Sequence, residues 1–441
     1  MNQNPHNAKS SLLIYGIREV VDLANKLTDL DPTLDLVWEN IGDPVDKGWP
    51  VPPFLKEILK QEIDRADNRG FAYTHSRGNI ATRKWAAEYC RSFCPAATLG
   101  YEDILFTNGL GSGIALLYQM IAPGGRVLEP CPTYPTHASF ESFCSGQPPI
   151  FYNLNPNLNW EPDLDNIEAN LVARRDIVGI TIINPNNPTG TVYSRSILEK
   201  IVEIAEKYKI MIIADEIYWR MIYPGATHYS LAELAHNRVP LIVMRGLSKD
   251  VPWPGSRSGW LEFHNTDLDS NFKAYAESIK KRALLEVCAS TLPQIVAPLI
   301  YNHPGFAAWN KKYTEELALV AGDITKYLQQ IPELEVNAAQ AAFYMMPYFK
   351  EGALNNKQTL PIKNLAVKKY IEELVNQPSC ALDKRFACYL LAHTGIVLVP
   401  ASDFFSPYPG FRITTLERDG IKRKKTYETL IKATRDYLKS A

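Results

Sequence analysis

The 441-residue chain has no apolar stretch that reaches the roughly 20 residues needed to cross a bilayer, so no helical membrane span is expected. Its opening, Met1 to Ser10, is polar and lacks the apolar core of an export signal. Neither sign of charge is in excess. The 47 Lys and Arg against 48 Asp and Glu leave a net charge of −1, which gives no footprint for nucleic acid or an anionic membrane surface. Cysteine is sparse: seven in all, an odd number with no zinc-type pairs of pairs, which points to reduced thiols in a cytoplasmic protein. Cys90 and Cys94, four apart on an expected helix, read as core packing, and the eight histidines form no ligand cluster, so no metal is expected. No internal repeat or low-complexity tract is present.

What the chain does have is apolar substance. At 46% hydrophobic content there is enough for a large core, and the length suits a large domain plus a smaller one. Helical periodicity runs over Leu12–Leu27, Phe54–Ala66 and Ala81–Phe93, and strands then alternate with helices from Ile104 to about Phe263. That alternation predicts a mostly parallel sheet with helices on both faces. A long helix is expected over Leu268–Val287, with strands at Phe343–Met346 and Gly395–Pro400 and loops at Lys350–Pro361 and Gln377–Asp383.

Four apolar strands run into polar turns that carry chemistry. Leu241–Met244 leads to Ser248-Lys249, with Arg257 eight residues further on; a lysine delivered into an interior is a nucleophilic amine that can form an imine, and the arginine can hold a phosphate. Ile210–Ala214 ends in Asp215-Glu216, with Tyr218 three residues after the aspartate. An acid at the C-terminal end of a central strand can keep a cofactor's ring nitrogen protonated, although a helix cap or a salt bridge is the alternative. Thr181–Ile183 enters Asn184-Pro185-Asn186-Asn187-Pro188-Thr189-Gly190, either a ligand-facing turn or an ordinary Asn-Pro turn. Ile104–Phe106 passes through Gly109-Leu110-Gly111 into a helix, where backbone amides can meet an anion.

In this order the motifs resemble those of the fold-type I pyridoxal phosphate enzymes of the class I and II aminotransferase family. The resemblance implies an α/β protein of the PLP transferase fold type I, with a large domain built on a mostly parallel seven-stranded sheet and a smaller α/β domain. On that pattern residues 1–48 would join the small domain, 49–303 would form the cofactor-binding domain and 304–441 the small C-terminal domain. It further implies pyridoxal 5'-phosphate on Lys249, with Asp215 at the pyridine nitrogen, Asn187 and Tyr218 at the phenolic oxygen, and Arg257, Gly109 and Leu110 at the phosphate. Tyr134, in Pro130-Cys131-Pro132-Thr133-Tyr134-Pro135, matches the aromatic that stacks on the ring. Tyr73 sits where the family reaches the phosphate of a neighbouring subunit, which implies a homodimer with shared sites. Arg412, in Gly410-Phe411-Arg412-Ile413-Thr414, and Gly42, in Asn40-Ile41-Gly42-Asp43-Pro44, resemble the segments that hold the substrate carboxylate.

One departure stands out: many family members carry serine three residues before the lysine, where this chain has Gly246, and Ser248 lies next to Lys249 instead. A phosphate contact by Ser248 therefore stays an expectation. Gly246-Leu247 ahead of Ser248-Lys249 resembles the tyrosine aminotransferase branch, whereas Phe411–Thr414 resembles alanine aminotransferases. The reading is transfer of an amino group between an L-amino acid and a 2-oxo acid by a ping-pong mechanism, with aromatic, alanine or aspartate donors open. A lyase or cyclase acting at the α- or β-carbon is the rival within enzymes, because substrate orientation decides which bond breaks. A regulator fusing this fold to a DNA-binding module is the rival outside them, and the chain offers neither a spare segment nor a basic patch for it. Tyr15, Trp49 and His75 are candidates for the side-chain pocket.

Overall fold

The computed structural model describes residues 6–14 and 16–440. In chain order, α1 (Gly16–Leu30) and the short β1 (Val37–Trp38) precede α2 (Pro53–Ile63) and α3 (Ile80–Phe93). The alternating region follows: β2 (Ile104–Thr107), α4 (Leu110–Gln119), β3 (Arg126–Cys131), α5 (Pro135–Ser145), β4 (Ile150–Asn155), β5 (Glu161–Pro162), α6 (Leu164–Ala173), β6 (Ile177–Ile183) and α7 (Arg195–Tyr208). It continues through β7 (Met211–Asp215), α8 (Leu231–Leu234), β8 (Leu241–Gly246) and β9 (Gly259–His264). Helices α9 (Ser270–Ala283), α10 (Thr291–Tyr301) and α11 (Phe306–Leu328) come next. The last part holds β10 (Leu334–Glu335), β11 (Tyr344–Met345), β12 (Tyr348–Phe349), α12 (Leu365–Val375), α13 (Leu382–Thr394), β13 (Ile396–Val397), β14 (Val399–Pro400), β15 (Phe411–Thr414) and α14 (Gly420–Leu438).

The central sheet has the order β2-β9-β8-β7-β6-β3-β4-β5. Strands β8, β7, β6, β3 and β4 pair in parallel, and β9 runs against both its neighbours. Seven strands make the expected sheet, and the eighth is the two-residue β5, which pairs antiparallel with the edge strand β4. Strand β7, Met-Ile-Ile-Ala-Asp, is buried at every position, as a strand covered by helices on both faces must be. Capping side chains start several helices: Asp163 accepts from the Asn166 amide at α6 and Ser194 from the Ile197 amide at α7.

The parallel strands all end at one edge, and the residues expected to be functional lie just beyond those ends. Three apolar cores surround the sheet: one under α2, α3, α7 and α10, one under α4 and α9, and a third that joins Val20, Ala24 and Leu27 of α1 to α11, α13 and β15. The first expected helix begins later than its periodicity suggested, at Gly16 rather than Leu12. Ser139 of α5 accepts from the Ile14 amide and donates to its carbonyl, which holds that segment extended. The helix expected over 268–287 is shorter, because Asp269 caps it by accepting from the Phe272 amide and the last turn tightens to a 3-10 form. Among the described residues no helix is long and apolar enough to cross a membrane.

Candidate active site

A cavity of about 740 Å³ opens at the C-terminal edge of the sheet, inside the size range of small-molecule sites. Of the residues singled out from sequence, Lys249, Asp215, Tyr218, Asn187, Tyr134, Leu110, Ser248, Arg257, Arg412 and Gly42 all line it. Lys249 follows β8, and its Nζ donates to the Gly42 carbonyl at 3.0 Å. Asp215 closes β7, where parallel pairing sets it beside Ile183, the last residue of β6. Its Oδ1 accepts from the Ile217 amide at 3.1 Å, and its Oδ2 lies 3.3 Å from His137 Nε2.

Arg412 enters from β15. Its guanidinium is buried between the Tyr344 ring, 4.5 Å from the ring centre, and the Phe404 ring at 4.9 Å. Nη2 donates to the Asn40 carbonyl at 2.6 Å and Nη1 to Asn187 Oδ1 at 3.4 Å. The Tyr218 hydroxyl donates to that of Tyr344 at 3.3 Å. Burial, then the neighbouring Tyr344, pushes the Tyr218 phenol well above the usual range, so it is a proton donor at neutral pH.

Glycines set two of the close approaches. A Cβ on Gly42 would lie 2.0 Å from the Tyr344 hydroxyl, so any larger residue would displace that ring. Gly109 caps α4 with φ +75, and a Cβ there would meet Arg257 Nη2 at 2.4 Å. Gly109 is therefore behind the wall, against Arg257, while Leu110 and Gly111 face the cavity. The Gly246 departure also has a physical reason. Gly246 pairs with Gly259 across β8 and β9, and a Cβ would meet the Ser258 carbonyl at 2.9 Å. There is no room for a serine there, and Ser248 lines the cavity in its place.

Besides Gly109, three expectations fall outside the cavity. Tyr73 is 85% exposed and does not reach it. Trp49 is a core residue whose indole donates to the Leu416 carbonyl at 2.7 Å, and His75 is an exposed loop residue accepting from the Arg77 amide. Neither is a pocket residue within this chain. Tyr15 lies outside the described residues. Cys90 and Cys94 are both buried in the core. Cys90 groups with Glu262 and His264, yet Glu262 is already bonded to Arg245, Trp260 and His264.

Sequence reasoning missed Tyr344, His137 and the cover supplied by α1. Tyr344 reads as one aromatic in the apolar run Phe343–Met346, with nothing to mark it. His137 had a signal: it sits three residues after Tyr134 in the first turn of α5, on the same face. Helix α1 places Ile17, Arg18 and Val21 at the cavity. It is held there by Gly16 packed on Asp403 and by Lys384, which reaches Glu19 at 3.2 Å and Asp403 at 3.7 Å.

The donor set fits pyridoxal phosphate. The amides of Leu110 and Gly111 at the start of α4, with Arg257 and Ser248, make a cationic cradle suited to a phosphate. A carboxylate, an amine and an aromatic ring complete the set at Asp215, Lys249 and Tyr134.

Comparison with known proteins agrees with this geometry. The model of the family "Aminotransferase class I and II" matches residues 42–423. An uncharacterized aminotransferase of Methanocaldococcus jannaschii is 39% identical over 97% of both chains. The glutamate-pyruvate aminotransferase AlaA of Escherichia coli is 28% identical over 86% of this chain and 85% of its own. Among solved structures, an alanine aminotransferase from Pyrococcus furiosus superposes with a TM-score of 0.83 at 28% identity, covering 98% of this chain and all of its own.

Proposed function

This chain belongs to the aminotransferase class I and II family, and from that premise we propose that it is a pyridoxal phosphate-dependent transaminase working between L-alanine and 2-oxoglutarate by a ping-pong mechanism. The observation that carries the reading is the convergence of Lys249, Asp215 and Arg412 on one cavity from three separate elements. The alanine and glutamate-pyruvate names of relatives that match most of the chain support the choice of substrates.

Lys249, Asp215, Asn187, Tyr218, Tyr134 and Arg257 would hold the cofactor, together with Ser248 and the Leu110–Gly111 amides. When bound, it supplies a protonated pyridine ring that withdraws the electron pair released at the substrate's α-carbon. Asp215, accepting from His137 and the Ile217 amide, holds the ring proton. Tyr218 keeps its phenolic proton and donates it as a hydrogen bond. Arg412 orients the substrate carboxylate with its planar fork, and the Gly42 segment closes beside it. Lys249 Nζ, at the cavity, would be the base that takes the substrate's α-proton and holds it for return. The Ile17 and Val21 side chains of α1 limit water at the mouth. Arg18, on the same helix, lines the cavity and forms no ion pair with a described residue, which suits the second carboxylate of glutamate or 2-oxoglutarate.

A homodimer is part of this proposal. Phe71, Tyr73, Leu285 and Val287 are exposed at 71%, 85%, 78% and 53%, an apolar set that a second copy would cover, with Tyr73 then entering the partner's site. Sedimentation should give twice the chain mass, and a monomer that is fully active would overturn this arrangement. The test of the reaction is a single half-turnover. L-alanine added to cofactor-loaded protein should yield one equivalent of pyruvate per chain with no acceptor present, and continuous pyruvate or ammonia release under those conditions would sink the transaminase reading.

A further inference from the structure

Behind Asp215 a chain of buried polar side chains runs across the sheet, away from the cavity. Asp215 Oδ2 lies 3.3 Å from His137 Nε2, and His137 Nδ1 lies 3.1 Å from the Tyr118 hydroxyl. Tyr118 donates to Glu129 Oε1, and Thr181 donates to the same oxygen at 3.1 Å. The five residues come from β7, α5, α4, β3 and β6, and none is more than 4% exposed. Only Asp215 touches the cavity. Glu129 Oε2 is buried without a partner. Burying such a carboxyl costs several kcal/mol, and an aliphatic side chain would serve packing better on a strand buried along its length.

Hydrogen-bond counting leaves two proton arrangements, and the first is charged. An ionised Asp215 only accepts, so the contact with His137 requires a proton on Nε2. Tyr118 has one O–H and three neighbours, Glu129 Oε1, Thr181 Oγ1 at 3.1 Å and His137 Nδ1; giving the proton to Glu129, or to Thr181, leaves the phenol oxygen as an acceptor toward His137 Nδ1. That contact requires a second ring proton. Both ring nitrogens are then donors, which is the imidazolium.

We infer that Glu129 is a positioning residue that acts through Tyr118 to hold His137 as an imidazolium against Asp215, and so sets the charge behind the group that faces the cofactor's ring nitrogen. The last clause rests on the proposed role of Asp215; the state of His137 does not. The alternative neutral arrangement is reached by one concerted shift: the His137 Nδ1 proton moves to the Tyr118 oxygen as the Tyr118 proton moves to Glu129 Oε1, with no change in net charge. The other polar groups around Glu129 are compensated. Glu141 of α5 is paired with Arg126 of β3, and Tyr152 of β4 donates to the Thr181 carbonyl at 2.8 Å. Burial pushes the Glu129 carboxyl up to about 7, and His137 is the main group opposing that rise. Tyr118, whose phenol is pushed far up by burial and then by Glu129, stays protonated in both arrangements.

The test is the protonation state of His137 in cofactor-loaded protein labelled with 15N-histidine, its signal assigned by loss in His137→Gln. At neutral pH both ring nitrogens should resonate in the protonated range in the wild type. In Glu129→Gln and in Tyr118→Phe the ring should become neutral, with the proton on Nε2, and the pH midpoint of the visible cofactor band should rise. A neutral ring in the wild type, or a ring unchanged in both variants, would overturn the inference. A purely structural role would lower thermal stability and leave the ring protonated, so that outcome also counts against it. Should the ring behave as inferred while L-alanine fails to react, the relay stands and the transaminase reading falls.

Discussion

Replacing Arg412 by lysine keeps the positive charge and removes the fork. The guanidinium is 2% exposed, sandwiched by Tyr344 and Phe404, and tied to the Asn40 carbonyl and Asn187 Oδ1. A lysine ammonium can reach one carboxylate oxygen or the Asn40 carbonyl, and cannot span both in a plane. One lost charge-assisted hydrogen bond costs about 1.5–3 kcal/mol. Weaker contact with the two rings adds about 0.5–1 kcal/mol. At about 1.4 kcal/mol per factor of ten, Arg412→Lys should lower kcat/KM for L-alanine roughly 30- to 700-fold. Because the carboxylate is held before and during the reaction, most of the loss should appear as a higher KM. The visible cofactor band should persist, since Arg412 meets substrate and not cofactor in this account. Steady-state kinetics alongside the absorption spectrum decides the matter: a kcat/KM within threefold of wild type, with the band intact, would refute the role given to Arg412.

Other expectations follow from the same geometry. In Gly42→Ala the new methyl falls 2.0 Å from the Tyr344 hydroxyl, and overpacking of this kind costs about 1–3 kcal/mol; the KM for L-alanine should rise about tenfold as Tyr344 is pushed off Arg412, and an unchanged KM would show that the loop yields freely. Arg18→Ala should reduce kcat/KM for L-glutamate at least tenfold more than for L-alanine, and equal losses for both would remove Arg18 from side-chain recognition. Asp250 is buried, its Oδ2 accepts from the Tyr301 hydroxyl at 2.7 Å, and burial pushes its carboxyl up to about 7. A carboxyl raised on folding stabilises most below its unfolded value, near 4, and that contribution is lost as pH climbs toward 7. Relative to Asp250→Asn, the wild type should therefore lose up to about 4 kcal/mol over that interval, read as diverging urea midpoints, whereas a constant difference across the interval would contradict the assignment.

Much of the site was legible because the fold places it by rule. In a parallel sheet with helices on both faces, residues just past strand ends share one edge, so Asn187, Asp215 and Lys249 meet although they are far apart in sequence. Gly246 shows the limit of motif matching: the missing serine looked like a gap in the phosphate cradle, and the cause is the pairing with Gly259 on the neighbouring strand, which leaves no space for a side chain. Other residues were hidden because tertiary contacts define them. Tyr344 is one aromatic in an apolar run until Gly42 and Arg412 are packed against it. Glu129 lies in the short strand Arg126–Cys131, and its partners Tyr118 and His137 arrive from two different helices. Trp49 looked like a pocket residue for want of knowing that its indole is tied to the Leu416 carbonyl in the core.

The measurement that bears most directly on the central claim is the absorption spectrum of the purified protein, with Lys249→Ala as its control. The wild type loaded with pyridoxal phosphate should show a visible band that bleaches on addition of L-alanine and returns with 2-oxoglutarate, and Lys249→Ala should fail to complete the cycle. A wild type with no such band, or a Lys249→Ala variant that cycles at the wild-type rate, would contradict the assignment of Lys249 and the reaction built on it.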